Sequence, residues 1–393
     1  MSTNKEVTLK DQSHYLPVFK RYPIALKKGS GCRVWDVEGN EYLDALAGIA
    51  VNNLGHCHPA IVETIQRQAG ELMHVSNFFS TEQQAGLAHK MTNTSGLERA
   101  FFTNSGAESV EGAIKLARKY AWSKSKGGKI ISVKKSFHGR TMATIATGKK
   151  EMQKGFGPIP EGFVQAELND IQSVKNVWDE HTAGIIVEPI QGEGGINVST
   201  REFLSDLRNL CDDHDIALIF DEIQCGIGRT GKMYAKNQYN VQPDIMTFAK
   251  GLGSGFPMGA VLANKKISDA LHFGDHGTTF GGNPLACAVG LATYQVIKDE
   301  DLLHKTRDNG EYLMTELRNL NLSGTKEVRG KGLMVGVEFD FETKPLVLKM
   351  LENKVIANAT AGNVLRIVPP LVIEKNEIDS LLEVLVKSHK QTV

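Results

Sequence analysis

Two short apolar runs, Ile216 to Phe220 and Ile245 to Ala249, constrain this 393-residue chain more than any other feature. Each run is continuous, too short for a helix of ordinary length, and closed by one ionisable residue. Asp221 ends the first, and Lys250 ends the second ahead of Gly251, Gly253 and Gly255. Apolar runs of this length between turn residues are the pattern of strands buried on both faces. Parallel strands of that kind meet ligands at their carboxyl ends. An anion and a cation are thereby expected at one rim of one sheet.

The same grammar recurs along the chain. Ala100 to Thr103 leads into Asn104-Ser105-Gly106-Ala107, and Ala107, Val110, Ile114, Ala117 and Ala121 then repeat at helical steps of three and four. Ile130 to Val133 leads into Ser136-Phe137-His138-Gly139-Arg140, and Gly184 to Val187 ends in Glu188, followed by Gly192-Glu193-Gly194-Gly195. Strands alternating with helices, each strand ending in polar residues, predict an α/β fold with a mostly parallel sheet covered on both faces. Residues 1–55 read as an arm plus a hairpin, Val34 to Leu43 turning at Gly39-Asn40. Residues 56–285 form the large α/β domain. Residues 286–393 form a small α+β domain, completed by the first segment and closed by a helix carrying Ile378, Leu381, Leu382 and Leu385.

Charge excludes some partners. Lys+Arg and Asp+Glu each number 45, so no global field draws the chain to nucleic acid or acidic membranes. The polar start lacks an apolar signal core, and no run is long enough to span a bilayer. Five scattered cysteines without a CxxC read as reduced thiols of a cytoplasmic protein. His56-Cys57-His58-Pro59 reads as a turn before a helix, not a metal site, because no ligand partner follows at the required spacing.

Each chemical signal has a plainer competitor. Ser105-Gly106-Ala107 opening a helix suits a phosphate, or simply caps the helix. Phe137 can stack on a planar ring and Arg140 can grip a carboxylate, or the pair is a core aromatic and a surface cation. Gly226 to Lys232 satisfies GxxxxGK, but Met233 stands where a P-loop needs Ser or Thr. GLGSGF at 251–256 lacks dinucleotide-binding spacing. Asp221 with Lys250 suits a cofactor carrying a basic ring nitrogen and an aldehyde, which is the chemistry of pyridoxal phosphate.

SGAES, FHGR, VEPIQGEGG, DEIQ followed by GIGRTG, TFAKGLGSGFPMGA and GTTFGGNPLA occur here in the order typical of class III pyridoxal-phosphate aminotransferases. The chain resembles that family over nearly its whole length. Within it, GHCHP and NVLRIVPPL are most similar to the acetylornithine branch. The resemblance implies fold-type I architecture, pyridoxal 5′-phosphate as cofactor and a homodimer with shared sites. It implies that Lys250 bonds the cofactor aldehyde and shuttles a proton, and that Asp221 pairs with the ring nitrogen. Phe137 stacks on the ring, Gln224 approaches the ring hydroxyl, and His138 and Glu188 complete the cofactor site. Ser105, Gly106 and Ala107 hold the phosphate, and Thr279 reaches the phosphate of the neighbouring subunit. For substrate it implies Arg140 on the α-carboxylate, Arg366 on the distal carboxylate of glutamate or 2-oxoglutarate, Glu193 as a removable mask on Arg366, and Thr278 nearby. The expected reaction passes the ω-amino group of N2-acetyl-L-ornithine to 2-oxoglutarate in arginine biosynthesis. Succinylornithine, ornithine, 4-aminobutyrate or a lysine-pathway analogue are the alternative donors. Phe19 and Ile49 stand where ornithine-specific relatives often carry tyrosines, which favours an acylated donor.

Overall fold

The computed structural model describes residues 2–392. Its centre is a seven-stranded sheet in the spatial order Arg99–Thr103, Gly259–Ala263, Ile245–Phe248, Ala217–Asp221, Thr182–Val187, Lys129–Val133, Phe163–Ala166. Gly259–Ala263 runs antiparallel to both neighbours, and the pairings from Ile245–Phe248 to Phe163–Ala166 are all parallel.

The continuous apolar runs are explained by burial on both faces. Along Ala217–Asp221, Ala217 and Ile219 pack towards the helix Gly106–Ser123, against Val110, Ile114 and Ala117. Leu218 and Phe220 pack on the opposite face with Phe203 and Leu207 of the helix Arg201–Asp213. All four strand residues are fully buried, and each such side chain contributes roughly 1.5–3 kcal/mol for the larger ones. Alternation would have signalled a strand with one wet face; its absence is the mark of a covered one.

Two four-stranded sheets flank this core. One joins Leu26–Ser30, Arg33–Asp36 and Glu41–Asp44 to Val355–Ile356, so the two ends of the chain share a sheet. The other orders Thr325–Lys331, Met334–Phe339, Val364–Ile367 and Asn358–Thr360, all antiparallel. The helix Pro284–Asp299 lies against the helices Pro59–Glu71 and Glu82–Ser95, so residue 286 falls inside an element packed on earlier parts of the chain. His58 precedes that first helix directly. Its Nε2 faces Glu300 at 2.9 Å, and His56 Nε2 faces Asp44 at 2.7 Å, so the two imidazoles have separate carboxylate partners. Among the described residues no cluster of three or more His, Cys, Asp or Glu could hold a metal, and no helix is long and apolar enough to cross a membrane.

Candidate active site

A cavity of about 420 Å³ opens where the parallel strands end. Register explains its chemistry. Asp221 is the last residue of its strand and pairs with Thr247, three residues before Lys250. The two ionisable groups therefore leave adjacent strands at the same rim. Lys250 has φ of +40°, a left-handed conformation that costs a non-glycine residue energy and aims its side chain away from the strand path.

Asp221 is buried, and both its oxygens are engaged. Oδ2 meets His138 Nδ1 at 2.6 Å, while Oδ1 accepts from the Ile223 amide at 3.0 Å and the Thr247 hydroxyl at 3.1 Å. His138 is fully enclosed; burial works against its charged form, but the Asp221 hydrogen bond and charge, with Glu188 adding to them, raise its pKa overall. Glu188 accepts from the amides of Phe137 at 3.0 Å and Gly192 at 3.1 Å, tying together the loops that carry those two residues. Burial pushes the Glu188 carboxyl up to about 7, with Asp221 adding to the rise and His138 opposing it.

Lys250 lines the same cavity as Asp221, Phe137, Gln224 and Arg140. Burial lowers the pKa of its amine; Glu193 counteracts and Arg366 reinforces the shift. At the cavity mouth, Ser105 caps the helix Gly106–Ser123, its Oγ accepting from the Glu108 amide at 3.3 Å. Gly106 and Ala107 line the wall at the positive end of that helix dipole. Gly139 lets the Phe137–Arg140 loop close on this end: with φ +138°, a Cβ there would lie 2.9 Å from Ala107 Cβ. The Arg140 guanidinium is exposed and sits 5.4 Å from the Phe137 ring centre.

Arg366 stands beyond Gln224. It is wholly buried, ion-paired through Nη1 with Glu193, 3.3 Å from Gln224 Oε1, and bonded through Nε to Asn358 at 2.9 Å. Its Nη2 has no partner. Burial opposes ionisation of Glu193, but the charge and hydrogen bond of Arg366 outweigh it and hold the carboxyl low.

Not every expected residue comes to this cavity. Thr278 reaches it only through Asn104, whose amide lies 3.4 Å from the threonine hydroxyl, and Thr279 is exposed beside a separate crevice formed with His74–Asn77. Phe19 is exposed on the arm and neither it nor Ile49 lines the wall; Val51 does. The GxxxxGK segment does not form a phosphate cradle, since Arg229 points into the interior and Gly231 packs on Arg307. Sequence reasoning missed Asn104, Ile223 and the Phe256–Met258 wall, and it missed Thr247. The signal for Thr247 was present: it is the one hydroxyl inside the two apolar runs that lead to Asp221 and Lys250.

Comparisons agree with this geometry. Residues 17–388 match the family model "Aminotransferase class-III". A curated acetylornithine aminotransferase from Methanocaldococcus jannaschii is 50% identical over 95% of this chain and 96% of its own length. Another from Caldanaerobacter subterraneus is 49% identical over 95% and 97%. Among solved structures, an ornithine aminotransferase from Toxoplasma gondii aligns with a TM-score of 0.95 and 34% identity over 100% of this chain and 96% of that one. The acetylornithine aminotransferase of Elizabethkingia anophelis aligns at 0.88 and 34% over both full chains. Six ordered sequence motifs, a fold-wide structural match and a lysine–aspartate rim lead to one conclusion: the chain belongs to the class-III aminotransferase family.

Proposed function

We propose that this pyridoxal-phosphate-dependent aminotransferase moves the ω-amino group of N2-acetyl-L-ornithine to 2-oxoglutarate, giving N-acetyl-L-glutamate 5-semialdehyde and glutamate, a step of arginine biosynthesis. The donor set fits the cofactor: a carboxylate, an aromatic ring, a buried amine and a helix N-terminus line one cavity. Bound pyridoxal phosphate supplies an aldehyde for the amino group and a ring that accepts the electron pair released at the reacting carbon. Asp221, held by His138, Thr247 and the Ile223 amide, would hold the ring nitrogen. Lys250, its proton affinity lowered by burial, is the amine that would hold the aldehyde and, when free, would carry a proton on Nζ. Phe137, its amide positioned by Glu188, would cover the ring face, Gln224 would approach the ring hydroxyl, and Ser105, Gly106 and Ala107 would take the phosphate.

The observation that carries the substrate reading is the Arg366–Glu193 pair beside Gln224. The donor has one carboxylate, for Arg140. 2-Oxoglutarate has two, and the second displaces Glu193 from a guanidinium that is already desolvated. One site thus serves two unlike substrates. The curated relatives' names favour the acetylated donor.

A homodimer belongs to the same reading. Phe79 and Phe280 are exposed beside Thr279, a face suited to a second copy whose cofactor phosphate Thr279 would reach. Division into a large domain and a small one built from both termini, and a cytoplasmic location for five free thiols, complete it. The test is a steady-state panel of acetylornithine, succinylornithine, ornithine and 4-aminobutyrate against 2-oxoglutarate. Acetylornithine should give the highest kcat/KM, and a higher value for free ornithine would overturn the assignment. Lys250→Ala should retain cofactor absorbance after purification and lose turnover; substantial residual transamination would remove Lys250 from its role.

A further inference from the structure

Four residues occupy one row across the antiparallel sheet. Arg329 pairs with Gly336, Gly336 with Arg366, and Arg366 with Asn358. Directly paired residues project to the same face, so two arginines flank a glycine on one surface. The Glu193 loop lies on that surface. Ile196, fully buried with φ +56°, seats over Gly336, where a Cβ would lie 2.9 Å from the Ile196 Cβ. On one side of this seat Arg366 grips the Glu193 carboxylate. On the other, Arg329 donates to the loop backbone: Nη2 to the Gly195 carbonyl at 2.7 Å and Nε to the Ile196 carbonyl at 3.2 Å. Arg329 is itself braced by Glu338 at 2.5 Å and Glu327 at 2.8 Å. Thr360 adds a hydroxyl donated to the Glu193 carbonyl at 2.8 Å.

From this geometry we infer that Arg329, with Gly336 and Thr360, is a positioning device for substrate alternation: it fixes the backbone of the Glu193 loop to the sheet that carries Arg366. The inference rests on the Glu193–Arg366 exchange proposed above. With the backbone held at residues 193, 195 and 196, the ion pair opens by rotation of the Glu193 side chain alone. The loop does not swing away, and Glu193 returns to Arg366 at little entropic cost each time the dicarboxylate leaves. Loosening the backbone therefore weakens the masked state that the single-carboxylate donor uses, while the state with Glu193 displaced is little affected.

The two half-reactions of the cofactor-loaded enzyme separate these states, each followed in single turnover by cofactor absorbance. Arg329→Met should lower kcat/KM for the acetylornithine half-reaction roughly ten-fold and leave the 2-oxoglutarate half within about three-fold. Thr360→Val, which removes one neutral donor, should shift the ratio in the same direction by roughly two- to three-fold, and serves if Arg329→Met folds poorly. In a Glu193→Gln background neither substitution should move the ratio further, because the pair they support is gone. An equal fall in both halves, or an undiminished shift in the Glu193→Gln background, would overturn the positioning role. If Glu193→Gln alone left the ratio unchanged, the exchange itself would fail and this inference with it.

Discussion

Arg229 and Arg366 are both completely buried, yet their surroundings differ in kind. Arg229 is held only by neutral acceptors: the carbonyls of Leu333 at 3.1 Å and Pro369, and the Asn53 side chain at 2.7 Å. Arg366 has a carboxylate, Glu193, that keeps 33% of its side-chain surface. Each arginine retains one unpartnered nitrogen, Nε in Arg229 and Nη2 in Arg366. A guanidinium wrapped in backbone carbonyls cannot exchange its partners without unfolding the segments that supply them. A guanidinium closed by a half-exposed side chain can release that side chain to water and accept another carboxylate. Burial alone thus does not mark a binding arginine; the mobility of its counter-charge does.

The widest separation between the two should appear in stability. Arg229→Met strands three buried acceptors from three separate segments, and should cost about 3–5 kcal/mol, read from denaturant midpoints of the cofactor-loaded protein. Arg366→Met should cost less than half of that, because Glu193 can turn to solvent. If the order is reversed, the distinction between a structural and an exchangeable arginine fails. Activity should sort them the other way. Arg366→Met should lower kcat/KM for 2-oxoglutarate roughly 100-fold, or about 2.7 kcal/mol, with a smaller loss in the donor half-reaction. Equal losses in the two halves would assign Arg366 to the fold and not to the acceptor.

A smaller effect concerns the loop that carries Arg229. Glu222 accepts from the amides of Ala235 at 2.6 Å and Lys236 at 2.7 Å, and burial raises its carboxyl to about 7 from 4.5. Its folded pKa lies above the unfolded one, so its stabilising contribution is complete below pH 4.5 and fades as pH rises through about 7. Glu188 titrates in the same window. Glu222→Gln should flatten the fall in stability across that window by roughly 1–3 kcal/mol without abolishing it. Denaturant midpoints at pH 5 and pH 7.5 check the sign, and a slope unchanged by the substitution would remove Glu222 from it.

Much of the fold could be read from local pattern, and the reason is visible in particular strands. Ala217–Phe220 and, but for Thr247, Ile245–Phe248 are apolar because helices cover both faces, and an ionisable residue appears only where each strand leaves the core. Asp221 and Lys250 are therefore conspicuous in one dimension. Gly336 is not. A lone glycine in a strand gives no sign that Ile196, 140 residues earlier, sits on it, nor that Arg329 and Arg366 are its ladder partners. Arg229 is no more legible in one dimension. Its GxxxxGK setting, already discounted as a P-loop at Met233, gives no sign that three distant segments close over it.

The amino-acid sequence by itself determined the alternating α/β order, the polar strand ends and the family, because short-range periodicity and motif order carry them. The tertiary structure alone decided that Thr247 and His138 share Asp221, that Thr279 lies outside the cavity, and that Arg366 faces a partly exposed carboxylate while Arg229 does not. Those facts depend on strand register and on loops meeting across 80 to 170 residues of chain, as in the 83-residue separation of His138 from Asp221 and the 173 of Glu193 from Arg366. Only the assembled sheets, with helices and loops packed on their faces, bring such distant residues within hydrogen-bonding distance.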